Sequence, residues 1–385
     1  MSSDLSCMSR AIELGRVSLP FAGVNPAVGA LIVSGGRVIG EGSHHGPGTS
    51  HAEAKALAEA QRLSRSSAKL PPDATLYCTL EPCCHSGAGK RTAPCTEAII
   101  AADIRRVVVA CRDPNPLVAG RGIERLRSAG VSVEEGLMAP EAAFLIERFA
   151  VSISLRRPYI LLKWAQSVDG RIACPGGISK WITNEAARKA AHELRANHDA
   201  VMVGANTVRI DNPELTPRLV QTADVHMPRR LVLAGRNPLD LEAHLLSAPL
   251  AEGTTVLAAT GSPALEQCRS AGIDAIELKA DEAGLPDPEE AFHELYARGI
   301  GSVMVEGGSA LLTSLLRLGL WDAVSIFIAP LIIGEGLSPA GDLGAVSPAQ
   351  GIGFAKFHCE PGEGFLRIEA RRSPSQGEVA GCSRD

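Results

Sequence analysis

Apolar positions recur with two different periods along this chain, and the places where the period changes mark its elements. AIELGRVSL, HAEAKALAEAQRL, TEAIIAA and IERLRSAG carry apolar residues at helical spacing, whereas ATLYCTL, RVVVAC and VSVEEG are β-rich runs. AVGALIV and RVIGEG flank Ser34, Gly35 and Gly36, which predicts a β-hairpin. This alternation predicts a mixed sheet with helices on both faces. PEAAFLIERFAVSISL reads as a linking helix. A second αβ series then begins with YILLKWA and continues through helix NEAARKAAHELRA and strands AVMVG, RRLVLAG and TTVLAAT. Helix EEAFHELYARG, strand SVMVEGG and helix SALLTSLLRLG follow, and AVSIFIAPLIIG reads as a buried strand pair. The polar stretch SPSQGEVAGCSRD reads as a disordered tail.

A chain of 385 residues is too long for one ordinary core, so two domains are expected. The net charge of -5 leaves no basic footprint for nucleic acid. No apolar run reaches membrane-spanning length, and the first twenty residues lack a secretory core. Ten cysteines scattered over a long chain favour a reducing, cytoplasmic setting and metal binding over disulfides.

The sharpest chemical signal is His51-Ala52-Glu53 followed by Glu81-Pro82-Cys83 and Cys95. One imidazole and two thiolates can hold zinc in three positions and leave the fourth for water. Zinc brings the pKa of that water toward neutrality, and Glu53 is then available to shuttle protons. The bland reading makes His51 a helix cap and the cysteines small buried hydrophobes. A structural zinc is the stronger competitor, because Cys84 and His85 could supply a fourth ligand. Glu53 has no use in that reading, which favours catalysis.

The second half lacks Gly-x-Gly-x-x-Gly, so a standard dinucleotide fold is not signalled. It does carry Lys163-x-Ala165-x-Ser167-Val168-Asp169-Gly170, Ser179-x-Trp181, Arg195, Thr207, Asp211-Asn212-Pro213-x-Leu215, Arg218 and Glu306-Gly307-Gly308. Gly307 and Gly308 opening a helix would let backbone N–H groups approach a phosphate. Arg195 and Arg218 are candidates for bidentate contacts to a substrate phosphate.

In this order, HAE, TLEPCCH, TAPC and the second-half motifs resemble the bacterial bifunctional riboflavin biosynthesis deaminase/reductase family over about residues 10–370. The resemblance implies an α/β chain: a cytidine-deaminase-like αβα domain at 1–150, a dihydrofolate-reductase-like αβ domain at 151–372, and a tail at 373–385. It implies deamination of 2,5-diamino-6-ribosylamino-4(3H)-pyrimidinone 5′-phosphate, then reduction of 5-amino-6-(5-phosphoribosylamino)uracil, with Zn²⁺ and NADPH as cofactors. His51, Cys83 and Cys95 would be the zinc ligands and Glu53 the proton shuttle. Asn25, His44, His85 and Lys90 would line the deaminase substrate site. Ala165, Trp181, Thr207, Asp211 and Gly308 would face NADPH; Ser179, Arg195, Leu215, Arg218 and Glu306 would face the sugar phosphate. The loop SGAGKR is longer than the family's, which leaves Lys90 and Arg91 both open as the phosphate-facing base and lets Cys84 compete as a ligand. The partners implied are small-molecule pyrimidine ribosyl phosphates, without nucleic acid or membrane, on a homo-oligomer. One rival is a deaminase acting on nucleic acid or a free nucleoside, with the second half as a substrate-binding appendage. The acidic balance, 4% aromatic residues and the long gap between Cys83 and Cys95 argue against it.

Overall fold

The computed structural model of the protein describes residues 3–64, 69–84, 94–116, 118–221 and 225–372. Two compact units meet in sequence at Arg156 and Arg157. The division falls a few residues beyond the expected 150/151 boundary, because the linking segment is one unbroken helix that ends at Leu155.

The first unit contains α1 (Asp4–Ser18), β1 (Gly29–Ser34), β2 (Arg37–Ser43), α2 (Ala52–Ser64) and β3 (Thr75–Leu80). It continues with α3 (Cys95–Ala101), β4 (Arg106–Cys111), α4 (Arg121–Ser128), β5 (Ser132–Glu135) and α5 (Ala139–Leu155). The sheet order is β2-β1-β3-β4-β5, with β2, β1 and β3 antiparallel and β3, β4 and β5 parallel. The strands β1, β3 and β4 are buried along nearly their whole length, as expected where helices cover both faces. The predicted hairpin turns at Gly35 and Gly36, whose φ values of 58° and 71° suit glycine.

Glycine also sets how closely the helices sit on this sheet. A Cβ at Gly42 would lie 2.0 Å from the Ala52 carbonyl oxygen, and one at Gly40 2.2 Å from that of Ala56. Helix α2 therefore rests on bare backbone of β2. The same holds on the α1 side, where a Cβ at Gly29 would lie 1.9 Å from the Ala11 oxygen.

The second unit contains β6 (Tyr159–Ser167), α6 (Glu185–Ala196), β7 (Ala200–Gly204), α7 (Ala205–Asp211), β8 (Arg229–Leu233), β9 (Thr254–Ala259) and α8 (Pro263–Ser270). After these come β10 (Asp274–Leu278), α9 (Pro288–Ala297), β11 (Ser302–Val305), α10 (Ser309–Leu318), β12 (Ala323–Ala329), β13 (Phe354–Gly362) and β14 (Phe365–Arg372). Nine strands run in the order β10-β9-β8-β7-β11-β6-β12-β14-β13; the first seven are parallel and the last two join antiparallel. At the start of this unit Arg157 forks onto Asp322 at 2.7 and 2.9 Å, and Asp322 also accepts the Ile160 N–H at 2.8 Å.

Two features depart from the sequence expectation. AVSIFIAPLIIG is a single strand, β12, followed by a loop. Pro330 cannot donate to a ladder, and the Asp169 carboxylate takes the N–H groups of Ile333 and Gly334 at 3.1 and 2.6 Å instead. The hairpin β13–β14 and the elements α7, α8 and β10 were not expected. Among the described residues no helix is long and apolar enough to cross a membrane.

Gly42→Ala should cost on the order of 1–3 kcal/mol, the usual range for overpacking. Urea unfolding of the two proteins side by side measures it. A change below roughly 0.5 kcal/mol, the size of an ordinary surface substitution, would mean that α2 lifts from β2 without penalty.

Candidate active sites

The seating of α2 places His51 just before the helix and Glu53 in its first turn. Strand β3 ends at Leu80, and Glu81-Pro82 carry the chain to Cys83; Cys95 opens α3. The His51 Nδ1 lies 3.3 Å from the Cys95 Sγ and 3.6 Å from the Cys83 Sγ. All three donor atoms fall within 4.8 Å of one another, and among the described residues no other group forms such a set. Tetrahedral zinc with bonds of about 2.0 and 2.3 Å would separate nitrogen and sulfur ligands by roughly 3.6 Å. The donor set therefore fits zinc in both chemistry and spacing.

The electrostatics agree with the donor chemistry. Hydrogen bonding from the Cys95 thiol, aided by the His51 imidazole and the Cys95 N–H at 3.4 Å, holds the Cys83 thiol well below its usual range. The same contact, with burial, pushes Cys95 up. A divalent cation would take both as thiolates. Burial pushes the Glu53 carboxyl up, against the opposing pull of His51. A carboxyl with a raised pKa suits a group that must both take and give a proton.

The surrounding cavity is lined by Asn25, His44, Asp113, Asn115, Val118 and Phe149, among others. An amide NH₂ can only donate, so the 3.2 Å contact from Asn25 Nδ2 makes the His44 Nε2 an acceptor. The proton then sits on Nδ1, facing the Ser50 carbonyl oxygen at 3.3 Å. Burial lowers the His44 pKa, consistent with a neutral ring. Expected site residues His85 and Lys90 lie outside the described residues. Cys84 is not in the three-donor set. Sequence reasoning missed Asp113, Asn115 and Phe149. The run Asp113-Pro114-Asn115-Pro116 was a turn signal that could have marked the first two.

In the second unit, one cavity brings together Ala165, Ser179, Trp181, Arg195, Thr207, Asp211, Arg218, Glu306 and Gly308. Nine of the ten expected residues thus line a common space. Leu215 does not line it; that residue is 2% exposed with φ of 53°. Gly307 and Gly308 have φ of 85° and 79° and open α10 into the cavity. A Cβ at Gly308 would lie 3.1 Å from the Thr207 Oγ1. The Ser179 hydroxyl donates to Asp211 at 3.4 Å.

The two arginines differ in their engagement. Arg195 spends Nε and Nη2 on the Glu306 carboxylate and gives Nη1 to the Thr216 carbonyl oxygen at 3.0 Å. Three of its N–H groups therefore go to oxygens within the protein. Arg218 is half-exposed and meets only the edge of Glu214, at 3.4 Å. Lys163, quoted in the motif but given no role, lies 3.6 Å from Glu306. Burial alone would raise Glu306, but Arg195 and Lys163 hold it down to about 2. Burial pushes Lys163 the other way, below its usual range.

Comparison with known proteins covers both units. Residues 1–111 match the family model of the cytidine and deoxycytidylate deaminase zinc-binding region, and residues 158–359 match that of the RibD C-terminal domain. The riboflavin biosynthesis protein RibD of Aquifex aeolicus (strain VF5) is 41% identical over 357 residues, covering 93% of this chain and 95% of its own. That of Escherichia coli (strain K12) is 37% identical over 338 residues, covering 85% and 88%. The solved structure of Acinetobacter baumannii RibD, form 1, superposes with a TM-score of 0.82 at 34% identity, covering 96% of this chain and 99% of its own. A Thermotoga maritima structure described as a diaminohydroxyphosphoribosylaminopyrimidine deaminase/5-amino-6-(5-phosphoribosylamino)uracil reductase superposes at 0.79 with 34% identity, covering 96% and 98%. With a zinc-ligand set in one unit, a glycine-opened cavity in the other and these relatives along nearly its full length, the chain belongs to the RibD family of riboflavin biosynthesis proteins.

Proposed function

We propose that the first unit deaminates 2,5-diamino-6-ribosylamino-4(3H)-pyrimidinone 5′-phosphate and that the second reduces 5-amino-6-(5-phosphoribosylamino)uracil with NADPH. The observation that carries the reading is the His51, Cys83 and Cys95 donor set with buried Glu53 beside it. Those three side chains would hold zinc, which when bound supplies a Lewis acid that brings the pKa of a water toward neutrality. Glu53 takes a proton from the attacking water and passes it to the departing amine, so ammonia leaves neutral. Asn25 and neutral His44, whose ring lies 5.3 Å from that of His51, orient the substrate beside the donor set.

In the second unit the cofactor would lie against Ala165, Trp181, Thr207, Asp211 and Gly308, and it supplies the hydride. The open backbone at Gly307, with Gly308 opening α10 beside it, supports a phosphate there. Ser179 and Glu306 serve the sugar side, with Arg195 holding Glu306 in place. Arg218 is the phosphate-facing base of the pair, since its fork is not committed to a buried carboxylate. NADPH over NADH is carried by the family resemblance; the ratio of kcat/KM for the two nucleotides tests it.

Glu53→Gln should keep zinc at one per chain and lose about 10²–10⁴-fold in ammonia release, the usual contribution of a general acid–base. Elemental analysis and an ammonia assay read both; undiminished deamination would remove Glu53 from the reaction. Arg218→Ala should raise KM for the phosphorylated reductase substrate on the order of 10–100-fold, as for a lost charge-assisted contact. It should scarcely affect a dephosphorylated analogue. Equal effects on the two would show that Arg218 does not meet the phosphate.

A further inference from the structure

Glu81 is 3% exposed and has no part in the chemistry above. Its carboxylate accepts four backbone N–H groups. Oε2 takes those of Asp113 and Gly120 at 3.2 and 2.9 Å; Oε1 takes those of Gly122 and Ile123 at 2.8 and 3.2 Å. Gly122 and Ile123 are in the first turn of α4, whose N-cap Gly120 has no side chain to offer. Glu81 thus caps α4 from the segment just after β3, and a carboxylate accepting backbone N–H groups is among the stronger hydrogen-bonding arrangements. The contact is close on the backbone side too: a Cβ at Gly122 would lie 2.1 Å from the Pro82 carbonyl oxygen. Two residues past Glu81 is Cys83. On the far side of the bonds, Asp113, Asn115 and Val118 line the deaminase cavity.

We infer that Glu81 is a positioning residue that ties the Cys83 ligand segment to a recognition wall made by Asp113 and Asn115. The wall offers a carboxylate and an amide, a chemistry suited to the amino and hydroxyl groups of a pyrimidine ribosyl ligand. Glu81 itself borders the same cavity, but its carboxylate is committed to four backbone N–H groups, so it acts on substrate recognition through backbone. The inference rests on the deaminase reading above.

The test uses full-length, zinc-loaded protein. Glu81→Gln keeps the side chain's size but replaces one acceptor oxygen with a donor, which faces N–H groups it cannot satisfy. Hydrogen exchange of peptides spanning Asp113 and Ile123 should then quicken on the order of tenfold or more, as when protecting hydrogen bonds are lost. KM for deamination should rise at least about tenfold while kcat changes far less, the signature of lost binding shared by ground and transition states. Zinc should stay at one per chain. Gly122→Ala, which presses on Pro82 from the α4 side, should give the same KM effect with Glu81 intact. Asn115→Ala should raise KM in the wild type and add nothing in the Glu81→Gln background, because coupled residues are not additive.

Unchanged exchange, an unchanged KM, loss of zinc, or full additivity with Asn115→Ala would each overturn the inference. If the zinc-loaded wild type releases no ammonia, the deaminase reading fails and the recognition role falls with it. Exchange alone then decides whether Glu81 holds the wall. Ammonia release by wild type with none of the predicted changes in the variants overturns Glu81's role only.

Discussion

The contact between α2 and the glycines of β2 is the constraint on which the first site depends. A helix packed on side chains can slide or tilt by small amounts as those side chains change rotamer. A helix resting on bare backbone at Gly40 and Gly42 has little such freedom, because carbonyl oxygens already fill the space a Cβ would need. The start of α2 is thereby fixed against the sheet, and with it His51 and Glu53. Cys83 and Cys95 reach the same point from a strand end and a second helix start. Three separate elements converge within a few ångströms, which demands that each be rigidly seated.

The second site solves a different problem. Its cavity holds one cluster, Lys163, Arg195 and Glu306, whose side chains are all largely buried. Removing such charges from water is costly unless they are paired and hydrogen-bonded. The Glu306 carboxylate meets that requirement through Arg195 and Lys163 together. Arg218, on the same cavity, stands outside this cluster, half-exposed beside Glu214.

Much of this was legible in the sequence because chemistry constrains residue type. His51, Glu53, Cys83 and Cys95 had to be those residues at element ends, and the structure gathers them. Most of the second-half motif also lines one space. What escaped depends on distances in space that no local pattern carries. The four amides bound by Glu81 come from 32 to 42 positions further along the chain. The pairing of Arg195 with Glu306 spans 111 positions, and no local pattern shows it. The run after β12 looked like a strand because it is apolar, yet Ile332 is 77% exposed. The strand β13 gave the opposite error: it is exposed along nearly its whole length and shows no buried face for a pattern to reveal.

The proton on His44 has a consequence for the amide beside it. Because the ring presents a bare nitrogen to Asn25, the Asn25 side chain is oriented with its NH₂ toward the histidine. Its carbonyl oxygen is left as the end able to meet a ligand. The orientation of one amide thus follows from the tautomer of a neighbouring ring, and a second proton on that ring would turn the amide round, so its oxygen faced the histidine instead.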